Sequence, residues 1–195
     1  MSDGAAARSR RYDPGRRDRI VDACLRVIGE AGVAGTSNRR VAAAADVPLG
    51  SMTYHFTDTD ELLHEAFSRF AHAMSDRFEQ AMAGARDVDE ARRAVVDLIS
   101  VDVLADPREL VLTHELYTLA ARDPRYRRLT HAWMARSRRA LERHFDPTTA
   151  RLLDALIEGL TIHRALDTEP HRRDEVVRAV DRMTRSSTAG PAATR

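Results

Sequence analysis

Apolar residues recur at helical spacing along almost the whole chain, and no stretch alternates apolar with polar residues as a half-buried strand requires. Ile20, Cys24, Val27, Ile28 and Ala31 share one face of a predicted helix that opens near Arg16 and stops at Gly32. Thr36 and Ser37 offer N-caps for a short Ala-rich helix to Ala45, with Val41 facing inward. Asp46 makes the turn, and Pro48 suits the first turn of a third helix that reaches Tyr54 or His55. A long fourth helix, capped within Thr57 to Thr59, runs from Asp60 to Met82. Beyond Gly84, helices are expected at 87–105, 107–121, 123–145, 147–166 and 172–185. Asp106-Pro107, Asp123-Pro124 and Asp146-Pro147 each mark a stop and a restart, because proline lacks an N–H yet fits a helix's first turn. The expected fold is all-α, with about nine helices.

Composition narrows the function classes. Hydrophobic residues make up 43% of the 195, enough for a sizeable core and too many for wholesale disorder. A single cysteine, Cys24 on the apolar stripe of the first helix, excludes an intramolecular disulfide and points to a reducing, cytoplasmic setting. No run of about 18 apolar residues predicts a membrane span, and no apolar stretch behind the charged N-terminus reads as a secretory signal. Neither a phosphate-binding glycine loop nor a nucleophile with its base is recognisable, so no catalytic residue and no cofactor is expected. His64 and His72 stand eight apart with Ser68, a poor ligand, between them, so no metal site is expected either.

The near-balance of 31 basic against 30 acidic residues conceals a local excess. Every basic residue is arginine, and Arg8 to Arg19 holds six of them against Asp13 and Asp18. Residues 1–15 are read as a flexible basic arm, which either meets phosphate or is a solvated terminus. Residues 187–195, small and polar, are read as a disordered tail.

Two short helices joined by a tight turn, directly after a longer amphipathic one, form the pattern of a helix-turn-helix. In the second short helix Val47, Met52 and Phe56 recur at spacings that face back toward the other two. That leaves Leu49, Gly50, Ser51, Thr53, Tyr54 and His55 to project outward, beside Pro48. Hydroxyl and imidazole groups bond phosphate oxygens, and Leu49 or the Thr53 methyl suits a thymine methyl. Gly50 costs helix propensity but permits close backbone approach to a groove wall. A purely structural reading has Tyr54 and His55 packing on the fourth helix.

From Arg17 to Leu63 the chain resembles the DNA-binding domain of the tetracycline-repressor (TetR) family. The resemblance rests on Ser37 with Val41-Ala42, on the turn Asp46-Val47 with Pro48 and Gly50, and on Thr53-Tyr54-His55-Phe56 followed by Asp60-Glu61-Leu62-Leu63. Three positions depart from the family pattern: Asp46 replaces a turn glycine, Thr53 the first of two tyrosines, and Thr59 a lysine that opens the fourth helix. The resemblance implies DNA contacts from Thr36, Ser37, Arg39, Arg40, Pro48, Leu49, Gly50, Ser51, Thr53, Tyr54 and His55. It further implies a helix-turn-helix domain over 16–60 and a helical ligand-binding and dimerisation domain over 61–186. The implied protein is a homodimeric repressor of a palindromic operator, released when a small-molecule inducer moves the fourth helix. A helical protein-protein adaptor that does not bind DNA is the alternative.

The second half has to be read from its own residues. On helix 147–166, Leu152, Leu153, Leu156, Ile157 and Leu160 form one stripe and Ala155, Gly159, Ile162 and Leu166 another. Arg151, Asp154, Glu158 and Thr161 are left on the remaining arc. A helix apolar over two faces suits a dimer interface of Ala155, Gly159, Ile162 and Leu166 with Val176 and Val180 of the last helix; the alternative is a core closed within one chain. Helix 107–121 carries His114, Glu115 and Tyr117 among its apolar residues. With Met74, Phe78, Trp133, Met134 and His163 they make a candidate ligand pocket, unless His114 and Glu115 are satisfied in a closed core.

Overall fold

The computed structural model describes residues 14–102, 106–169 and 172–185. The basic arm's Arg8, Arg10 and Arg11 and the tail at 187–195 lie outside the described residues. Nine α-helices and no strand occur among those described: α1 Arg16–Ala31, α2 Asn38–Ala44, α3 Gly50–His55, α4 Thr59–Ala83, α5 Val88–Asp97, α6 Pro107–Arg122, α7 Pro124–Leu141, α8 Pro147–Leu166 and α9 Arg173–Arg185. They form two compact units, divided within α4 between Arg69 and Phe70.

Local chemistry places most helix ends. Gly32 closes α1 at a φ of 68°, where a Cβ would be strained, and its N–H donates to the Ile28 carbonyl. The Ser37 hydroxyl accepts from the Arg40 N–H at the start of α2. Asp46, in the family's glycine position, adopts a φ of 52°. A short polar side chain tolerates this left-handed conformation better than most. Downstream, Asp106, Asp123 and Asp146 each accept backbone N–H bonds at the head of α6, α7 and α8, with proline in the first turn. One predicted helix differs: the segment after α5 loosens into a π-helical turn over Leu98–Asp102. There the Ile99 carbonyl accepts from the Arg164 guanidinium of α8 at 2.9 Å, a partner outside its own ladder.

In the first unit Ile20, Cys24, Ile28, Val41, Met52, Phe56 and Leu62 are buried. The core of the second unit includes Met82, Val95, Ile99, Leu141, Leu153 and Val180. Val176 and Val180 were expected at a dimer interface, yet they are buried in this same core. The apolar faces of α5 (Ala91, Val95) and α8 (Leu153, Ile157) close on them, so their area is already removed from water within one chain. A second correction concerns the polar arc of α8. Thr161 is buried with its hydroxyl donating to the Ile157 carbonyl at 2.6 Å, and Asp154 and Glu158 are half-buried. Leu152 and Leu166, by contrast, are exposed. The side of α8 that carries carboxylates faces into its own unit.

Candidate functional site

The first unit presents α3 on a braced mount. Arg17 of α1 pairs with Glu61 and Glu65 of α4, donates to the His55 carbonyl, and sets its guanidinium 4.4 Å from the centroid of the Phe56 ring. Glu61 also accepts from the Thr57 N–H and hydroxyl at 2.7 and 2.8 Å, which holds its carboxyl below the usual carboxylate range. Arg69 of α4 reaches back to Asp18 and Asp22 of α1 at 2.6 and 2.9 Å. Arg17 is one of the six arginines between Arg8 and Arg19 that make the local basic excess, and here it orients the C-terminal end of α3. Only the i, i+4 spacing of Glu61 and Glu65 hinted at this role.

On that mount the outward face of α3 is smaller than expected. Tyr54 is 84% exposed and Leu49 54%, and Pro48, Gly50 and Thr53 are exposed beside them. A Cβ built on Gly50 would meet nothing within 4 Å, so the fold itself does not demand glycine there. Ser51 is a correction: it is only 9% exposed. At about 100° per residue it shares a flank with His55 one turn later, between the core side of Met52 and the open side. His55 is half-buried, edge-on to Tyr54 at 4.9 Å, and burial together with Arg16 and Arg17 lowers its pKa. That environment disfavours the charged imidazolium.

The residues around α2 divide similarly. The Thr36 hydroxyl donates to the Gly32 carbonyl at 2.8 Å, and the Arg40 guanidinium donates to the Gly35 carbonyl at 2.6 Å. Ser37, Arg39 and Arg40 are all exposed. Thr59, standing where the family has lysine, donates to Asn38 Oδ1 at 3.2 Å and so ties the start of α4 to the start of α2.

The second unit contains a cavity of ≈ 380 Å³, within the size range of small-molecule sites. Met74, Phe78, Tyr117, Trp133 and Met134 line it as expected from sequence. His114, Glu115 and His163 do not. His114 Nδ1 lies 2.8 Å from the Leu110 carbonyl of its own helix, a local partner that serves in place of a ligand. The Trp133 ring meets Phe70 edge-on at 5.9 Å and Tyr117 at 6.2 Å with a 36° tilt.

Polar lining residues that sequence reasoning missed give the cavity its chemistry. Asp154 and Glu158, one turn apart on α8, both line it. Burial raises the Asp154 carboxyl to about 6, opposed by the Arg138 guanidinium at 3.3 Å. The Tyr117 hydroxyl is pushed above its usual range, by burial first and then by its bond to the Glu158 carboxylate. Arg77 at the lining is paired with Glu109 at 2.8 and 2.9 Å. Thr113, 4% exposed, also lines the cavity, and its Oγ1 has no hydrogen-bond partner among the described residues. Among the described residues no group of three or more His, Cys, Asp or Glu could hold a metal ion. No helix among them is long and apolar enough to cross a membrane.

Known proteins share both halves. Residues 20–66 match the domain described as bacterial regulatory proteins, tetR family, and residues 86–186 match the tetracyclin repressor-like C-terminal domain. The nicotine-responsive transcriptional repressor HdnoR of Paenarthrobacter nicotinovorans is 24% identical over 85% of this chain and 92% of its own. The transcriptional regulator BetI of Burkholderia mallei is 30% identical over 80% and 84%. Among solved structures, the Streptomyces coelicolor protein SCO7518 is 57% identical over 88% of this chain and 99% of its own, with a TM-score of 0.80. The multidrug binding protein EbrR complexed with ethidium is 33% identical over 87% and 98%, with a TM-score of 0.72. These relatives do not favour the adaptor reading. Members of this family bind operator DNA and small molecules, typically as dimers, and are generally not enzymes. The chain is a ligand-responsive transcriptional regulator of the tetracycline-repressor family.

Proposed function

We propose that this regulator is a cytoplasmic repressor that holds a palindromic operator as a homodimer and leaves it when an inducer fills the ≈ 380 Å³ cavity. The observation that carries the reading is the open face of α3, with Tyr54, Thr53, Gly50 and Leu49 exposed on a helix braced by Arg17. Hydroxyls and bare backbone suit a phosphate-lined groove. Two such helices, one per copy, would enter major grooves about 34–36 Å apart or a multiple of that spacing. Ser37 and the exposed Arg39, with the arginines of residues 1–15, are assigned to the DNA backbone.

For the pairing of copies, the candidate surface is the exposed side of α8 and α9: Leu152, Ala155, Leu166 and Val177, with Gly159 and the half-buried Ile162. Nothing lies within 4 Å of a Cβ built on Gly159, so close helix approach is open there. For induction, α4 carries Glu61 and Glu65 against Arg17 at one end and the cavity-lining Met74 and Phe78 further along. A ligand that binds the DNA-free arrangement of α4 more tightly shifts the population toward release. The relatives' names support a small-molecule signal: one is nicotine-responsive, and another is complexed with imidazole, ethidium, malachite green or proflavin.

The test is mobility shift on DNA flanking the protein's own gene, with light scattering on the free protein. Specific retardation by a dimer supports the reading. A monomer at micromolar concentration, or equal affinity for unrelated DNA, removes it.

A further inference from the structure

We infer that the cavity selects aromatic organic cations, and that Glu158 alone supplies the counter-charge while Asp154, one turn away, is silenced by Arg138. The inference rests on the reading of this cavity as the inducer site.

Three charged side chains at the lining decide its sign. Arg77 is neutralised by both oxygens of Glu109, at 2.8 and 2.9 Å. Asp154 is neutralised by Arg138 at 3.3 Å, with the side chains of both partners four-fifths buried. Glu158 remains. Its neighbour at the lining is the Tyr117 hydroxyl, on which the Glu158 charge acts, and no cation among the described residues pairs with it. A hydroxyl orients a carboxylate without cancelling its charge. The cavity therefore carries one uncompensated negative charge beside a largely apolar lining. Burying an anionic or neutral polar ligand there costs desolvation without a matching gain, whereas a cation gains the field of Glu158.

Two further features specify the rest of the ligand. Trp133 and Tyr117, 6.2 Å apart and tilted by 36°, make an aromatic wall on which a ring stacks and a cation is favoured. Thr113 points to a ligand independently of the carboxylates, since its buried Oγ1 at the lining lacks any partner among the described residues. An amino group on the bound ring would satisfy it.

The test uses the full-length protein at pH 8 and three two-ring probes of matched shape: 3-aminoquinoline, which is neutral there, its N-methylquinolinium cation, and an amino-naphthoate anion. Calorimetry gives affinities, and quenching of Trp133, the sole tryptophan of the chain, reports occupancy of the cavity. The cation is expected to bind at least about tenfold more tightly than the neutral ring, and the anion not at all. Glu158→Gln should abolish the difference between cation and neutral ring, while Arg138→Gln should not lower cation affinity, because it removes only the positive charge that offsets Asp154. Equal affinity for cation and neutral ring in the native protein overturns the inference, whatever the variants do. So do an equal loss for both probes in Glu158→Gln and equal effects of the two substitutions. If none of the probes gives heat or quenches Trp133, the cavity is not the inducer site and the proposed function fails at that point; charge selectivity alone fails when probes bind without regard to sign.

Discussion

Titrating the Asp154 carboxyl should make stability fall as pH rises toward neutrality. Its ordinary value is 3.8 and burial raises it to about 6 in the folded chain, despite Arg138. Folding therefore favours the protonated acid. The stabilisation this gives is complete below pH 3.8 and is lost as pH rises through about 6. A shift of that size corresponds to on the order of 3 kcal/mol, and the side chain is four-fifths buried, so solvent screening is limited. Asp154→Asn keeps the shape and cannot ionise. Relative to the native chain it should be equally stable near pH 4 and more stable by up to that amount at pH 7.5. The gain corresponds to a midpoint higher by roughly 6–12 °C in a protein of this size. The assay is thermal unfolding of both proteins at one concentration across pH 4 to 7.5, without ligand. A stability difference that stays flat, or that grows toward acid, would refute the reasoning. It would mean that the Arg138 pair outweighs burial at this site.

Three other outcomes follow from the same geometry. Tyr54→Ala should weaken binding to operator and random DNA alike by ~1 kcal/mol, about fivefold, whereas Thr53→Ala should alter sequence preference; competition binding against both DNAs separates the two. Arg17→Gln should lower stability by about 1–2 kcal/mol, since it removes two partly exposed ion pairs and the contact with Phe56. It should also cost operator affinity, and full retention of both in denaturant titration and mobility shift would show that the brace is idle. Thr113→Val, which replaces an unpartnered buried hydroxyl by a methyl, should stabilise the ligand-free protein by about 1 kcal/mol in urea unfolding; destabilisation would reveal a partner for Oγ1.

How far these features could be read in advance depends on how far apart their partners lie along the chain. Helix count, the Asp-Pro restarts, the helix-turn-helix and the left-handed turn at Asp46 are encoded within a few residues, because caps, prolines and apolar periodicity act locally. Met52, Phe56 and Tyr54 were assignable from phase alone. Ser51 was not, since a flank residue's exposure depends on which neighbours close over it. The aromatic members of the cavity were legible because few other side chains could fill that role.

The amino-acid sequence by itself thus determined the all-α architecture and the open face of α3, both products of short-range periodicity. Only the tertiary structure decided that Val176 and Val180 close the chain's own core, that Arg17 braces α3, and that the carboxylates of α8 look into the cavity. Burial and charge pairing join residues far apart in the chain. Asp154 and Glu158 lie one turn apart on one helix, yet Arg138 of α7 neutralises the first while the second has only the uncharged Tyr117 hydroxyl of α6 beside it.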